Sequence, residues 1–180
     1  MATISKKICL VGDFGVGKTS LIRQFVERAF SDRYLSTVGV KISRKTMELT
    51  KSSEQKVEIQ LMIWDLEGHT KFKAIAPSYL QGSSGAIIVA DVTRQETVER
   101  LTEHLQLFLS INPKGFAIVA FNKSDLFDDE TIEQLLTTYN FKEQAQVLST
   151  YATSAKTGKD VDLIFEKLAY KILFPEESIC

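Results

Sequence analysis

Short apolar runs alternate along this chain with segments whose apolar residues recur at helical spacing. Residues 8–11, 85–92 and 116–121 are nearly continuous apolar runs bounded by Gly, Asp or Asn. Strands buried on both faces of a parallel sheet read this way. A fourth run, 146–151, is weaker. Val57, Ile59, Leu61 and Ile63 alternate with Glu58, Gln60, Met62 and Trp64, the pattern of a strand with two unlike faces. The stretch 40–49 before it is strand-like but more polar. Between them, 51–55 reads as a hairpin loop, so this pair is expected to be antiparallel and at a sheet edge.

Three segments carry helical spacing. Leu21, Ile22, Phe25 and Val26 form one face and Leu101, Leu105 and Phe108 a second. Val161, Ile164, Phe165, Leu168 and Ile172 form a third, with Asp160 placed to cap it. A weaker helix is expected over 131–139. Strands alternating with helices of this length predict an α/β fold: a mostly parallel six-stranded sheet with one antiparallel edge strand and helices on both faces. Ligands bind at the carboxyl ends of strands in such sheets. The chemistry is therefore expected in the loops after Val11, Trp64 and Phe121.

No internal repeat or linker divides the 180 residues, which suit one domain over 1–174 with a short tail, 175–180. Twenty-two Lys and Arg face 23 Asp and Glu, a net charge of −1. A nucleic-acid-binding module would carry a basic excess, so any polyanion must be held by a local site. Cys9 lies in an apolar run and reads as a small buried hydrophobe. With only Cys180 besides, there is no disulfide framework and no zinc spacing. The apolar run after Lys6 and Lys7 is too short for a signal peptide, and the longest one, 86–90, falls far below the ~18 residues a spanning helix needs. A cytoplasmic protein is expected.

Each predicted loop carries a motif. Gly12-Asp13-Phe14-Gly15-Val16-Gly17-Lys18-Thr19 fits the P-loop pattern and lies between the first strand and the first helix, as that pattern requires. Its glycines let backbone N–H groups wrap a polyphosphate without Cβ clashes, and the helix turns its positive end to the same anion. Lys18 would bridge the β- and γ-phosphates, and the Thr19 hydroxyl would ligate Mg²⁺. This motif alone does not choose between ATP and GTP.

Asn122-Lys123-Ser124-Asp125 follows the strand over 116–121. A carboxylate there can accept from both N1–H and the 2-amino group of guanine. Adenine offers neither donor and would leave Asp125 unpaired. After the next strand comes Thr153-Ser154-Ala155-Lys156. A backbone N–H there can donate to the guanine O6, and Lys156 can pack over the base; the same residues also make a common helix-leading turn.

Together these loops resemble the Ras-like small GTPases over nearly the whole chain, with the Rab branch nearest in pattern. The stretch from Trp64 to Thr93, WDLEGHTKFKAIAPSYLQGSSGAIIVADVT, is similar to the Rab-type second switch and the strand after it. Thr37-Val38-Gly39-Val40 looks like the first switch. The resemblance implies the P-loop NTPase fold of small G proteins, bound GTP or GDP with Mg²⁺, hydrolysis of GTP, and effectors and an exchange factor reading the switch regions of a monomer. It extends the phosphate-binding set to Phe14, Gly15, Val16, Gly17, Lys18, Thr19, Ser20, Thr37 and Gly68, with Lys18, Gly68 and His69 closest to the reaction. Thr37 and Asp65 join Thr19 as metal ligands. Phe30 would pack edge-on against the base, with Asn122, Lys123, Asp125, Leu126, Ser154, Ala155 and Lys156 forming the rest of the guanine pocket. By spacing alone, Phe30 fits equally well as a core residue of the first helix, and Thr37 as an ordinary loop threonine. Met62, Trp64 and Tyr79 are either an apolar effector patch or simply a cover for the sheet.

The chain departs from the family at the site of hydrolysis. His69 stands where the family usually places the glutamine that orients the attacking water. Phe14 replaces a glycine or small residue at the entrance used by a partner's arginine finger. Leu66-Glu67 replace the usual Thr-Ala, and Glu67 brings a negative charge towards a negative phosphate. Either these side chains face solvent and alter little, or nucleotide binding is intact while hydrolysis is slow. The tail departs as well. Phe174-Pro175-Glu176-Glu177 is acidic where a membrane tail is usually basic, and Cys180 is no prenylation box, so membrane attachment is expected only if Cys180 is lipidated. The runner-up function is a nucleotide-loaded scaffold that does not cycle. An ATP-dependent P-loop kinase would need an acceptor site and a lid, for which the switch motifs leave no room.

Overall fold

The fold is described from a computed structural model, over residues 3–33, 35–51, 54–66, 68 and 76–178. Six strands form one sheet in the order β2-β3-β1-β4-β5-β6. They are β1 (Ile4–Val11), β2 (Val40–Thr50), β3 (Lys56–Leu66), β4 (Gly85–Asp91), β5 (Phe116–Asn122) and β6 (Val147–Ala152). Only the β2–β3 pair is antiparallel, with Val40 opposite Leu66 and Thr50 opposite Lys56; the other four pairings are parallel. The expected mixed sheet with its antiparallel edge is what forms.

Alternation along the buried strands builds two cores. In β4, Ile87 and Val89 face one side and Ala86, Ile88 and Ala90 the other. The first side is covered by α1 (Lys18–Glu27) and α6 (Val161–Leu173), whose Phe25 and Phe165 rings stack at 4.2 Å. The second is covered by α4 (Leu101–Ile111) through Leu101, Leu105 and Phe108. Ile132 of α5 (Asp129–Thr138) joins this second core. Burying apolar side chains on both faces of a central sheet is the main source of stability in such a fold. Cys9 is fully buried in the second core.

Several elements differ from their sequence expectation. β1 begins at Ile4 because its polar half still pairs with β3, Lys7 lying opposite Met62. β3 runs two residues past Trp64, since β1 and β2 both continue to pair with it through Asp65. The predicted loop motif there thus starts on the strand itself. α5 starts at Asp129 rather than at 131, because the Asp128 side chain accepts from Thr131 N at 2.7 Å. Asp160 stands at the N-cap position of α6 but makes no capping bond: its backbone is left-handed, at φ 55°. Two helices of five residues each, α2 (Ala76–Leu80) and α3 (Gln95–Glu99), are too short to show a period in the sequence.

Candidate functional site

The carboxyl ends of β1, β3 and β5 open onto one cleft of about 330 Å³. Its phosphate-loop wall is Phe14, Gly15, Gly17, Lys18, Thr19 and Ser20; Thr37, Asp65 and Gly68 stand opposite. Its far end holds Phe30, Asn122, Lys123, Asp125, Leu126, Ala155 and Lys156. Of the residues singled out in the sequence, Val16 and Ser154 are buried behind this lining rather than in it. His69 lies outside the described residues, as do Glu67 and Cys180.

The phosphate loop is shaped by backbone geometry that a side chain would block. Gly17 has φ 100°, and a Cβ on it would lie 2.2 Å from the Asn122 side-chain nitrogen. Gly68 presses on the same loop from the opposite side: a Cβ there would lie 2.5 Å from Phe14 N and 2.7 Å from Lys18 Nζ. Lys18 is 6% exposed and donates to the carbonyls of Gly12 and Asp13 at 2.7 and 2.8 Å. Burial pushes its ammonium down to about 8, and Arg94 adds to this, while Asp65 and Asp13 oppose it. An anion bound in the loop would restore the full charge.

Three oxygens converge beside Lys18. Thr19 donates its hydroxyl to Asp65 Oδ2, the hydroxyls of Thr19 and Thr37 lie 2.8 Å apart, and Thr37 reaches the same Asp65 oxygen at 3.3 Å. Asp65 is 1% exposed, and its Oδ1 is buried with no hydrogen-bond partner. Burial raises its pKa, while Thr19, Lys18, Thr37 and Lys41 pull the other way. A hard cation with oxygen ligands fits this donor set, because it would satisfy the orphaned oxygen and the desolvated charge together.

The other end of the cleft is cross-braced. Asn122 closes β5 and donates Nδ2–H to Val16 O at 2.9 Å. Its Oδ1 accepts from the Thr153 hydroxyl at 3.2 Å and from Ala155 N at 3.3 Å. It therefore ties three loops together from beneath. Lys123 stands at φ 64° and donates to Gly15 O at 3.0 Å and Asp91 Oδ2 at 2.6 Å. The Ser154 hydroxyl donates to Asp125 Oδ1 at 2.7 Å, fixing a carboxylate on the cleft wall.

Phe30 is not a core residue of the first helix. α1 ends at Glu27, Arg28 turns left-handed at φ 55°, and Phe30 lies beyond it on the cleft, 38% exposed. Phe14 is likewise 39% exposed at the cleft lip. Leu66 is 4% exposed and does not face solvent. Trp64 and Tyr79 are half-buried with rings 6.2 Å apart, and Lys7 Nζ lies 3.8 Å over the indole.

The cleft also gathers residues that the sequence reading passed over. Arg23 and Arg33 line it beside Leu35, though nothing in their local spacing marks them. Asp91 sits beneath Lys123 and also accepts from Thr93 N and the Thr93 hydroxyl, at 2.9 and 2.6 Å. Asp13 has no assigned role in the loop motif, yet its carboxylate is engaged by Arg100 and by His104 of α4.

Comparison with known proteins agrees with this geometry. The profile of the Ras family matches residues 7–174. The chain is similar to the GTP-binding protein ypt5 of Schizosaccharomyces pombe, at 31% identity over 96% of this chain and 80% of the relative. It is 33% identical to human Ras-related protein Rab-22A, over 96% of this chain and 86% of that protein. Ras-related protein RABF2b of Arabidopsis thaliana is 34% identical, over 94% and 82%.

Proposed function

The chain belongs to the Ras family of small GTPases, and from that premise we propose a Rab-like guanine-nucleotide switch that binds GTP and GDP through a complete site and hydrolyses GTP slowly. One observation carries the binding half. A single cleft has Lys18 and three converging oxygens at one end, and the braced Asp125, Ala155 and Lys156 at the other. Guanine would sit at the far end between Phe30 and Lys156, its N1–H and 2-amino group donating to Asp125 and its O6 accepting from Ala155 N–H, which would exchange its long 3.3 Å bond to Asn122 Oδ1 for the base. Leu126 closes the pocket beside it.

The phosphates would lie along the backbone N–H groups of residues 14–20, with Lys18 leaving its two carbonyl partners for the β- and γ-oxygens. Thr19, Thr37 and Asp65 would hold Mg²⁺, which when bound neutralises charge on the β- and γ-phosphates. In the GTP state Thr37 and Gly68 hold both switch segments against the γ-phosphate, and its loss releases them. Effectors would read the state on the switch loops together with β2, where Met62, Trp64 and Tyr79 would supply an apolar patch. Slow hydrolysis rests on Phe14 at the lip, where a phenyl ring crowds an incoming arginine, and on His69 in place of a water-orienting glutamine.

Competition between nucleotides tests the binding half. The chain should retain GDP or GTP through purification, and excess GDP or GTP should displace a fluorescent GDP while ATP at the same concentration does not. Displacement by ATP, or no bound nucleotide at all, would overturn it. A chain that holds GTP and never releases phosphate would favour a non-cycling scaffold instead.

A further inference from the structure

Asp13 is a junction that the binding scheme leaves unused. Its backbone carbonyl accepts the Lys18 ammonium at 2.8 Å, and its carboxylate, 12% exposed, points away towards α4. There Arg100 Nη1 donates to Oδ2 at 2.8 Å and His104 Nε2 meets Oδ1 at 2.8 Å. A carboxylate only accepts, so His104 carries its proton on Nε2 in this contact. Arg100 stands at the joint of α3 and α4, and His104 follows one turn later on the same face, its N–H bonded to Arg100 O. Both oxygens of one nearly buried carboxylate are thus held by two bases of a different element, and the next residue, Phe14, has its carbonyl held by Arg94 at 2.8 Å.

We propose that Arg100 and His104 are positioning residues of the phosphate loop, acting through the Asp13 carboxylate. The clamp has two consequences. It fixes the backbone at Asp13 and Phe14, whose carbonyl and N–H groups border Lys18 and Gly68. It also neutralises a negative charge that would otherwise stand beside a bound polyphosphate at low dielectric, where like-charge repulsion is strong. Neither base touches the cleft, so their effect on the nucleotide passes through Asp13. The inference rests on the guanine-nucleotide reading above and adds to it a determinant on α4 that sets how long the nucleotide stays.

Release of fluorescent GDP from the full chain, measured in Mg²⁺ beside thermal unfolding, tests it. Arg100→Met and His104→Leu should each speed release by about tenfold. His104→Gln, which keeps a donor near the Nε2 position, should recover most of the native rate. In an Asp13→Asn background the same two substitutions should change release by less than about twofold, since the charge they serve is gone. Native release rates in both single variants would overturn the inference. So would faster release that tracks a lowered unfolding temperature and is not recovered by His104→Gln. A wild-type chain that binds no guanine nucleotide is a different failure: it would overturn the reading beneath, and the inference with it.

Discussion

The two ends of the cleft are built differently. At the base end, Asn122, Lys123, Asp125 and Ser154 are locked to three loops by hydrogen bonds of 2.6 to 3.3 Å. At the phosphate end, Phe14 stands 39% exposed on the lip, and the sequence carries Glu67 and His69 where the family usually has alanine and glutamine. The difference separates two properties that a family name joins. Holding a guanine nucleotide needs a preorganised, satisfied pocket, which the base end supplies. Cleaving it needs an oriented water and an open approach for positive charge, and slow cleavage is proposed because Phe14 and His69 are not the residues the family uses for those tasks.

The contrast can be broken from either side. Lys18→Ala removes the buried cation of the phosphate end, and should weaken GDP binding by about a thousandfold, since it takes a buried charge from a phosphate; titration calorimetry would read it. Asp125→Ala should cost about a hundredfold in GDP affinity and most of the preference for GDP over ADP. It should leave single-turnover cleavage of prebound GTP nearly unchanged, because the base end takes no part in the reaction. Equal loss of cleavage would mean that the ends are coupled.

A smaller effect concerns the brace beneath the base end. Burial alone would raise the Asp91 carboxyl, but the bonds from Lys123 and Thr93 outweigh it and hold the pKa below its ordinary value. A carboxylate depressed in the folded state stabilises above its unfolded pKa and loses that contribution as pH falls through the folded one. Asp91→Asn should therefore destabilise the protein by about 1–3 kcal/mol at neutral pH, and the gap from wild type should close at acid pH. Thermal unfolding across pH 3–7 would show it; a constant gap would place the effect in packing rather than charge.

Much of the cleft was legible in the sequence because each of its parts is local. The phosphate loop, Asn122–Asp125 and Thr153–Lys156 are short stretches that carry their chemistry within a few residues and follow apolar strands. What stayed hidden depends on partners far along the chain. Nothing near Arg100 or His104 announces Asp13, 87 and 91 residues earlier. β3 hides two residues of its length because Asp65, a charged residue, is buried in a strand end by pairing on both sides. Asp160 looked like a helix cap by residue type, yet its left-handed backbone turns the carboxylate away from that role.

The central claim, intact binding with slow cleavage, is tested most directly by one measurement. The chain is loaded with GTP, and a single turnover of phosphate release is followed beside nucleotide retention in the same sample, for wild type, His69→Ala and His69→Gln. The account predicts nucleotide retained throughout, wild-type cleavage slower than that of an ordinary Ras-like protein measured alongside, and about tenfold faster cleavage in His69→Gln. Wild-type cleavage as fast as that comparison protein, and unchanged in His69→Ala, would contradict it.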